Sequence, residues 1–281
     1  MAFWRRRKAP STVEARLRRR VENYVDRHDA GAALESEALV DTSQALDAIL
    51  QQRRQGVALP VGVLADVIVV HRLRATKLAS AEDAHAYVAL AVWMHAANGG
   101  DVAPQLRREV DDAIARGAET DEPTALLRAL QGHASAVRAH WLKTQDPALA
   151  DAVVAVFVRL LDHTTDDDPA YAMRLLDLAG VTASRSRVMP SAAGADLDDA
   201  IDVAERALGH PRIVNSAVRR AHQLLGPLLV ARLERDGVRA DFDRAQKSFS
   251  TLVDLASDER ERELCRQDLI ILRQQYAQRG Q

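Results

Sequence analysis

The chain has 281 residues, of which 28 % are charged and only 4 % are aromatic, and its formal net charge is −2. This balance excludes a disordered chain, and no apolar run approaches the roughly 20 residues that span a bilayer. Runs of β-branched and aromatic residues, which are typical of strands, are scarce, whereas alanine and leucine are abundant. The composition therefore predicts an all-α fold.

The first 20 residues form a basic arm. Eight basic residues stand there against Glu14 alone, which gives a local charge of +7 (8 − 1). The apolar segment of a secretory signal is missing after the arginines, so export by such a signal is rejected. The favoured interpretation is a frayed terminus whose second half, residues 11–28, becomes a helix. The alternative is contact with a nucleic-acid phosphate or an anionic lipid through Arg5, Arg6, Arg7, Lys8, Arg18, Arg19 and Arg20.

Residues 21–145 form an N-terminal helical region. Helical spacing of apolar residues, together with glycine and proline at the ends, predicts five helices there. They are residues 41–55, the segment after Pro60, the segment that ends at Gly99 and Gly100, the segment that stops at Gly117, and the segment opened by Pro123. Their spacing is irregular, so this region is interpreted either as degenerate repeats or as a separate helical cap.

A D-x-D-x-A phrase occurs twice in the C-terminal region, beginning at Asp196 and, 45 residues later, at Asp241. Between the two copies, Gly209 is predicted to end one helix and Pro211 to open the next, which Gly237 ends. The repeating unit is therefore a short helix, a tight turn, a longer helix and a turn.

A third copy of this unit lies upstream, where Ala152 takes the place of Ala200. In that copy Asp168 is predicted to be the N-cap of a helix whose first residue is Pro169. At the other end of the chain, Ser257 is predicted to cap the last helix. Residues 146–281 are thus predicted to be helical repeats.

The short helix of the repeat carries small residues where a neighbour has to come close. Ala200, Ala204 and Ala207 lie on one face, and a single hairpin cannot bury such a face. We therefore predict about ten or eleven helices, stacked as antiparallel hairpins into a right-handed α-solenoid. Within the longer helix, Gly226 is predicted to pack against that alanine face and Pro227 to bend the axis.

The segment from Asp196 to Ala245 resembles the tetratricopeptide-like repeats of actinobacterial proteins, in which such repeats often stand beside CHAT peptidase or signalling NTPase domains. The resemblance covers residues 146–279 and is most specific at the two D-x-D-x-A phrases and at Leu225, Gly226, Ala231 and Arg232. The period exceeds the standard 34 residues, and Pro227 interrupts a long helix, which are departures from the pattern. The resemblance implies protein-interaction scaffolding and supplies no catalytic residues.

The chain shows no sequence sign of catalysis. It lacks the glycine-rich phosphate-binding motifs and the G-x-S-x-G elbow. Cys265 stands beside apolar residues and is interpreted as a core or near-core residue. His133 and His140 are two helical turns apart, too far to share one zinc ion, and are interpreted as solvated or hydrogen-bonded. We predict no catalytic residues, no cofactor and no metal.

The predicted function is a non-catalytic protein-binding scaffold or adaptor in the cytoplasm, since a single cysteine suits a reducing compartment. The partner, another protein or a peptide, is predicted to bind a concave surface formed largely by the short helices. Helical phase selects the contact residues Asp199, Asp202, Glu205, Arg206, Arg244 and Lys247. The alternative is an adaptor for nucleic acid or an anionic membrane surface, which would use the basic arm.

Overall fold

The computed structural model describes residues 12–102 and 104–279, and across them it is all-helical, with thirteen helices and no strand. The predicted all-α class is confirmed. The predicted count of ten or eleven helices is too low, partly because α2, Gly31–Leu34, has only four residues and leaves no periodic pattern. The chain divides into two compact units, which join in sequence between His163 and Thr164.

The first unit contains eight helices. They are α1 (Val13–Arg27), α2 (Gly31–Leu34), α3 (Ser36–Arg54), α4 (Val61–Leu78), α5 (Ala81–Ala97), α6 (Pro104–Ala115), α7 (Glu122–Thr144) and α8 (Pro147–Asp162). The most extensive packing joins α5 to α7, and α4 also packs on α5. The core includes Trp93 and Trp141, both almost fully buried.

Side-chain caps start four of these helices. Thr12, Ser80, Asp121 and Asp146 each accept a hydrogen bond from a backbone N–H in the first turn, at 3.0–3.2 Å. A cap of this kind is worth about 1 kcal/mol. Pro123 stands in the first turn of α7, as predicted.

Helix α1 crosses the predicted end of the basic arm at residue 20 and buries Leu17 completely. It packs against α3 and α4. The other predicted domain boundary, after residue 145, lies between α7 and α8.

Gly132 explains why α5 and α7 lie so close together. A Cβ atom at this position would stand 3.1 Å from Cα of Ala86 on α5. That is a tight contact with backbone, so a larger residue would separate the two helices.

The second unit contains five helices: α9 (Tyr171–Val188), α10 (Ala193–Leu208), α11 (Asn215–Asp236), α12 (Arg239–Leu255) and α13 (Glu259–Arg279). Each of them packs against the next one along the chain, and α9 also packs against α11. Ala200, Ala204 and Ala207 are fully buried, as the alanine face of α10 predicts.

The helix ends agree with the sequence where glycine follows a helix. Gly209 follows the last residue of α10, and Gly237 ends α11 with a left-handed φ of 73°. The predicted start at Pro211 is wrong, because α11 begins at Asn215 after a turn.

Two predicted N-caps are also wrong. Helix α9 begins at Tyr171, because the Asp168 carboxylate is held in the preceding turn. Its Oδ1 accepts from the backbone N–H of Ala170 at 2.7 Å, and its Oδ2 pairs with Arg174 at 2.6 Å. At α13 the capping residue is Asp258, which accepts from the N–H of Glu261 at 2.8 Å.

Gly226 is buried and allows a close approach, as predicted, but its neighbour is different. A Cβ atom there would stand 2.9 Å from Cε1 and Cζ of Phe249, which belongs to α12 and not to the alanine face of α10. Helix α11 runs unbroken through Pro227.

The repeated phrase marks an arginine–aspartate pair that joins two consecutive helices, here called an inter-helix clip. Arg185 of α9 donates from Nε and Nη2 to Asp196 of α10, at 2.9 and 2.5 Å. Arg232 of α11 donates in the same way to Asp241 of α12, at 2.9 and 2.7 Å. The two aspartates are 1 % and 2 % exposed, so the forked contact neutralises carboxylates that are buried.

The first unit has a third pair of this kind. Arg74 of α4 donates from Nε to Oδ1 of Asp83 in the first turn of α5, at 3.3 Å. Both residues are buried. The first aspartate of each D-x-D-x-A phrase is thus explained by packing.

Candidate functional site

The predicted contact residues stand on the outer sides of α10 and α12. Asp199, Asp202, Glu205, Arg206 and Lys247 are exposed. The sixth predicted contact residue, Arg244, is half-buried. It forms an ion pair with Glu205 across the two helices and lies 3.3 Å from Asp241. The pair brings the exposed sides of α10 and α12 into one charged surface, here called the α10–α12 surface.

The charges of the α10–α12 surface differ in how far they are neutralised. Arg244 pairs with Glu205, and Arg206 lies near the Tyr171 hydroxyl. Asp199 and Asp202 have no ion-pair partner within residues 12–102 and 104–279. These two carboxylates are therefore available to a partner, as is the ammonium group of Lys247, which is exposed and also has no ion-pair partner among the described residues.

The residues of the basic arm divide into two groups. Arg5, Arg6, Arg7 and Lys8 lie outside the described residues. Of the rest, Arg18 pairs with Asp66 of α4 at 2.8 Å, and Arg20 pairs with Asp41 of α3 at 3.1 Å. Arg19 is exposed. Arg18 and Arg20 therefore fasten α1 to its own unit, which leaves less positive charge for an anionic partner.

A buried hydrogen-bonded chain crosses the first unit, and sequence reasoning missed it. Oδ1 of Asp83 lies 2.6 Å from Nδ1 of His71, and Nε2 of His71 lies 2.9 Å from Nδ1 of His133. The chain ends 3.0 Å further on, where Nε2 of His133 meets Oγ of Ser43. It links α5, α4, α7 and α3 in that order.

Burial sets the electrostatics of this chain. It holds the pKa of His133 well below its usual value, and the nearby His71 lowers it further. Burial alone would raise the pKa of Asp83, but the hydrogen bond from His71 and the charges of His71 and Arg74 outweigh it, so that pKa is lowered. His133 is therefore neutral at pH 7, and Asp83 is a carboxylate.

The order serine, histidine, histidine, aspartate superficially resembles a nucleophilic constellation, but its environment is structural. All four side chains are at most 4 % exposed, and the Ser43 hydroxyl lies 2.7 Å from the carbonyl oxygen of Leu39. A nucleophile has to reach its substrate, and these four side chains are buried. The hydrogen bonds from Asp83 to Ser43 instead stabilise the packing of four helices.

Spacing along one helix relates His133 only to His140. His140 instead lies 3.2 Å from the hydroxyl of Ser36, so the interpretation of both histidines as solvated or hydrogen-bonded is confirmed. The partner of His133 is His71, which lies 62 residues earlier in the chain. This pair could have been predicted only if the packing of α4, α5 and α7 were already known.

A cavity of about 740 Å³ lies between α5, α6 and α7, and is here called the α5–α7 groove. Its lining is formed by small and apolar residues: Ala81, Ala84, Val88, Ala89, Val92, Ala113, Gly117, Ala118, Ala125 and Gly132. Polar side chains stand at its mouth: His85, Arg116, Glu119, Arg128, Gln131 and Ser135. Of these, Arg128 lies 3.5 Å from Glu119, whereas the guanidinium of Arg116 has no partner within the described part of the chain.

Cys265 is half-buried in α13. Burial raises the pKa of its thiol, and the neighbouring charges of Glu261 and Asp268 raise it further. A raised pKa disfavours the reactive thiolate. Across the residues that the structure describes, no three or more histidine, cysteine, aspartate or glutamate side chains gather as metal ligands, and no helix is long and apolar enough to cross a membrane.

Comparison with protein-family models, with curated proteins and with solved structures finds no match for the chain. The resemblance to tetratricopeptide-like repeats therefore remains a prediction from the sequence.

Proposed function

We propose that the chain is a non-catalytic protein-binding scaffold whose partner docks on the α10–α12 surface. The Glu205–Arg244 ion pair carries the proposal, because it joins two helices of the same repeat type side by side on one exposed surface. Stacking the hairpins as a tetratricopeptide-like α-solenoid, which is part of the proposal, would make such a surface continuous from repeat to repeat. A cytoplasmic location is also part of it.

The chemistry of the partner segment that docks on α10 follows from the two free carboxylates of that helix. Asp199 and Asp202 stand one turn apart on α10 and are exposed. An exposed pair of carboxylates favours a partner segment that carries lysine or arginine. Such rim charges contribute more to the rate and specificity of association than to its final affinity.

Affinity purification from the native host, followed by mass spectrometry, tests this proposal. The Asp199→Lys/Asp202→Lys variant should lose the partner that the wild-type chain retains. The Asp111→Lys/Asp112→Lys variant changes the net charge equally at exposed positions of α6 and should retain it. A partner retained equally by all three chains would place the contact elsewhere and contradict the proposal.

A further inference from the structure

We propose that the α5–α7 groove is a binding site for a small amphipathic anion, namely a molecule with an apolar body and a single carboxylate or sulfonate group. The inference goes beyond the proposed function, because it concerns a different set of helices and a small molecule in place of a protein. Three observations carry it: the size of the groove, its apolar floor, and an unpaired arginine at its mouth.

Size and shape suit a small ligand. The volume of about 740 Å³ falls within the range of roughly 300–1,000 Å³ that is usual for small-molecule sites. Along α5 the lining runs from Ala81 to Val92, which is about 16 Å at 1.5 Å per residue. This length accommodates an extended alkyl chain of medium length.

The floor of the groove is apolar and not fully covered. Ala84, Val88 and Val92 recur every four residues and form a stripe along α5. Ala84 and Val88 are only half-buried, so apolar surface remains open to solvent. Covering it with an apolar body is favourable by about 25 cal/mol for each Å² removed from water.

The mouth of the groove selects the sign of the ligand's charge. Two arginines, Arg116 and Arg128, stand against one acid, Glu119, and that acid lies beside Arg128. Arg116 is therefore the cation left for a ligand. A guanidinium matches the geometry of a carboxylate with two parallel hydrogen bonds.

The walls of the groove are held in place before a ligand arrives. Gly132 on α7 fits against Ala86 on α5, and the buried chain from Asp83 to His133 joins the same two helices. A preformed site avoids the entropic cost of ordering its walls on binding, so its apolar area contributes more fully to affinity.

Calorimetric titration of the full chain with three probes of equal chain length tests the proposal: dodecanoate and dodecylammonium, each below its micellar concentration, and dodecan-1-ol below its solubility limit. Dodecanoate should bind most tightly and dodecylammonium least. Arg116→Gln should weaken dodecanoate by at least about three-fold, as expected for an exposed charged contact, and leave dodecanol unchanged. Arg108→Gln, an exposed arginine of α6 outside the groove, is the matched control and should alter neither.

A second variant tests the position of the apolar body. Val88→Trp fills the floor and should abolish binding of both dodecanoate and dodecanol, while a thermal melt shows that the chain still folds. The Asp199→Lys/Asp202→Lys variant should bind dodecanoate like the wild type. This result separates the groove from the α10–α12 surface, so the two proposals can fail independently.

Three results would overturn the inference. One is the absence of dodecanoate binding at concentrations up to about 1 mM. Another is equal binding of dodecanoate and dodecanol with no effect of Arg116→Gln. The third is Arg116-dependent binding of a synthetic helical peptide, with leucines on one face and glutamates on the other, when dodecanoate does not bind. That result would assign the groove to a polypeptide.

Discussion

Gly226 occupies a position that a larger residue can take only if the ring of Phe249 moves. We expect Gly226→Leu to destabilise the chain by about 1–3 kcal/mol, because overpacking outweighs the better helix propensity of leucine. Gly180 on α9 is the matched control, since a Cβ there would meet no heavy atom within 4 Å. Thermal melts should show a lower midpoint for Gly226→Leu and no comparable loss for Gly180→Leu. An unchanged or raised midpoint for Gly226→Leu would show that α11 and α12 do not pack as described.

His133 should make the chain sensitive to acid. Its pKa is well below 6.5 in the folded chain, because burial disfavours the charged imidazole, and the unfolded chain therefore binds more protons. The contribution of His133 to the free energy of unfolding is therefore fully present above about pH 6.5, and it is lost progressively as the pH falls below that value. Urea unfolding at pH 7.5 and pH 5.5 measures the loss.

His133→Gln removes the titrating group but can still form hydrogen bonds, so its stability should fall less between pH 7.5 and pH 5.5 than that of the wild type. The loss should not vanish, because burial also lowers the pKa of His140, His163 and His222. Equal losses for wild type and variant would mean that His133 is not the group responsible.

At the scale of the elements, the inter-helix clips hold consecutive helices together. Arg232→Met removes the forked partner of Asp241, which is 2 % exposed, and should destabilise the α11–α12 hairpin by about 2–4 kcal/mol. Arg235→Met is the control, because that arginine pairs with Asp198 and Asp236 at the surface and its loss should matter little. Chemical denaturation measures both. Equal effects would show that burial of Asp241 does not matter.

Sequence reasoning located helices well where the signal is local. The glycines after α10 and α11 and the proline in the first turn of α7 act within a few residues, and the structure confirms them. It failed where a side chain had a choice of partners. The Asp168 carboxylate accepts hydrogen bonds from Arg174 and from the backbone N–H of Ala170, and α9 therefore begins later than predicted.

The candidate sites show the same division. The exposure of Asp199, Asp202 and Lys247 follows from helical phase and could be predicted. The α5–α7 groove and the pairing of His71 with His133 depend on which helices meet in space. Periodicity within one helix carries no information on that choice.

At the scale of the whole molecule, the basic arm gives a test of the alternative function. Because Arg18 and Arg20 are paired within their own unit, we expect any affinity for duplex DNA to depend on residues 1–11. That affinity should fall steeply between 50 and 200 mM salt, since it would rest on phosphate contacts. Fluorescence anisotropy with the full chain, and with a chain lacking residues 1–11, measures it. Tight binding by both chains at 200 mM salt would favour nucleic acid over a protein partner.

The buried chain has one further property, which concerns the direction of its hydrogen bonds. The single hydroxyl proton of Ser43 faces two acceptors, the Leu39 carbonyl oxygen at 2.7 Å and Nε2 of His133 at 3.0 Å. If it points to His133, each imidazole donates from Nδ1.

If the hydroxyl group donates to the Leu39 carbonyl oxygen, donor and acceptor exchange roles in two hydrogen bonds: the bond between Ser43 and His133, and the bond between His133 and His71. His133 then donates from Nε2, and His71 donates from both of its nitrogens, one of them to the Asp83 carboxylate. The rotation of one hydroxyl group thus accompanies a change of tautomer at His133, with no movement of the backbone. The ¹⁵N chemical shifts of the two imidazoles would distinguish the arrangements, because each assigns His133 a different tautomer.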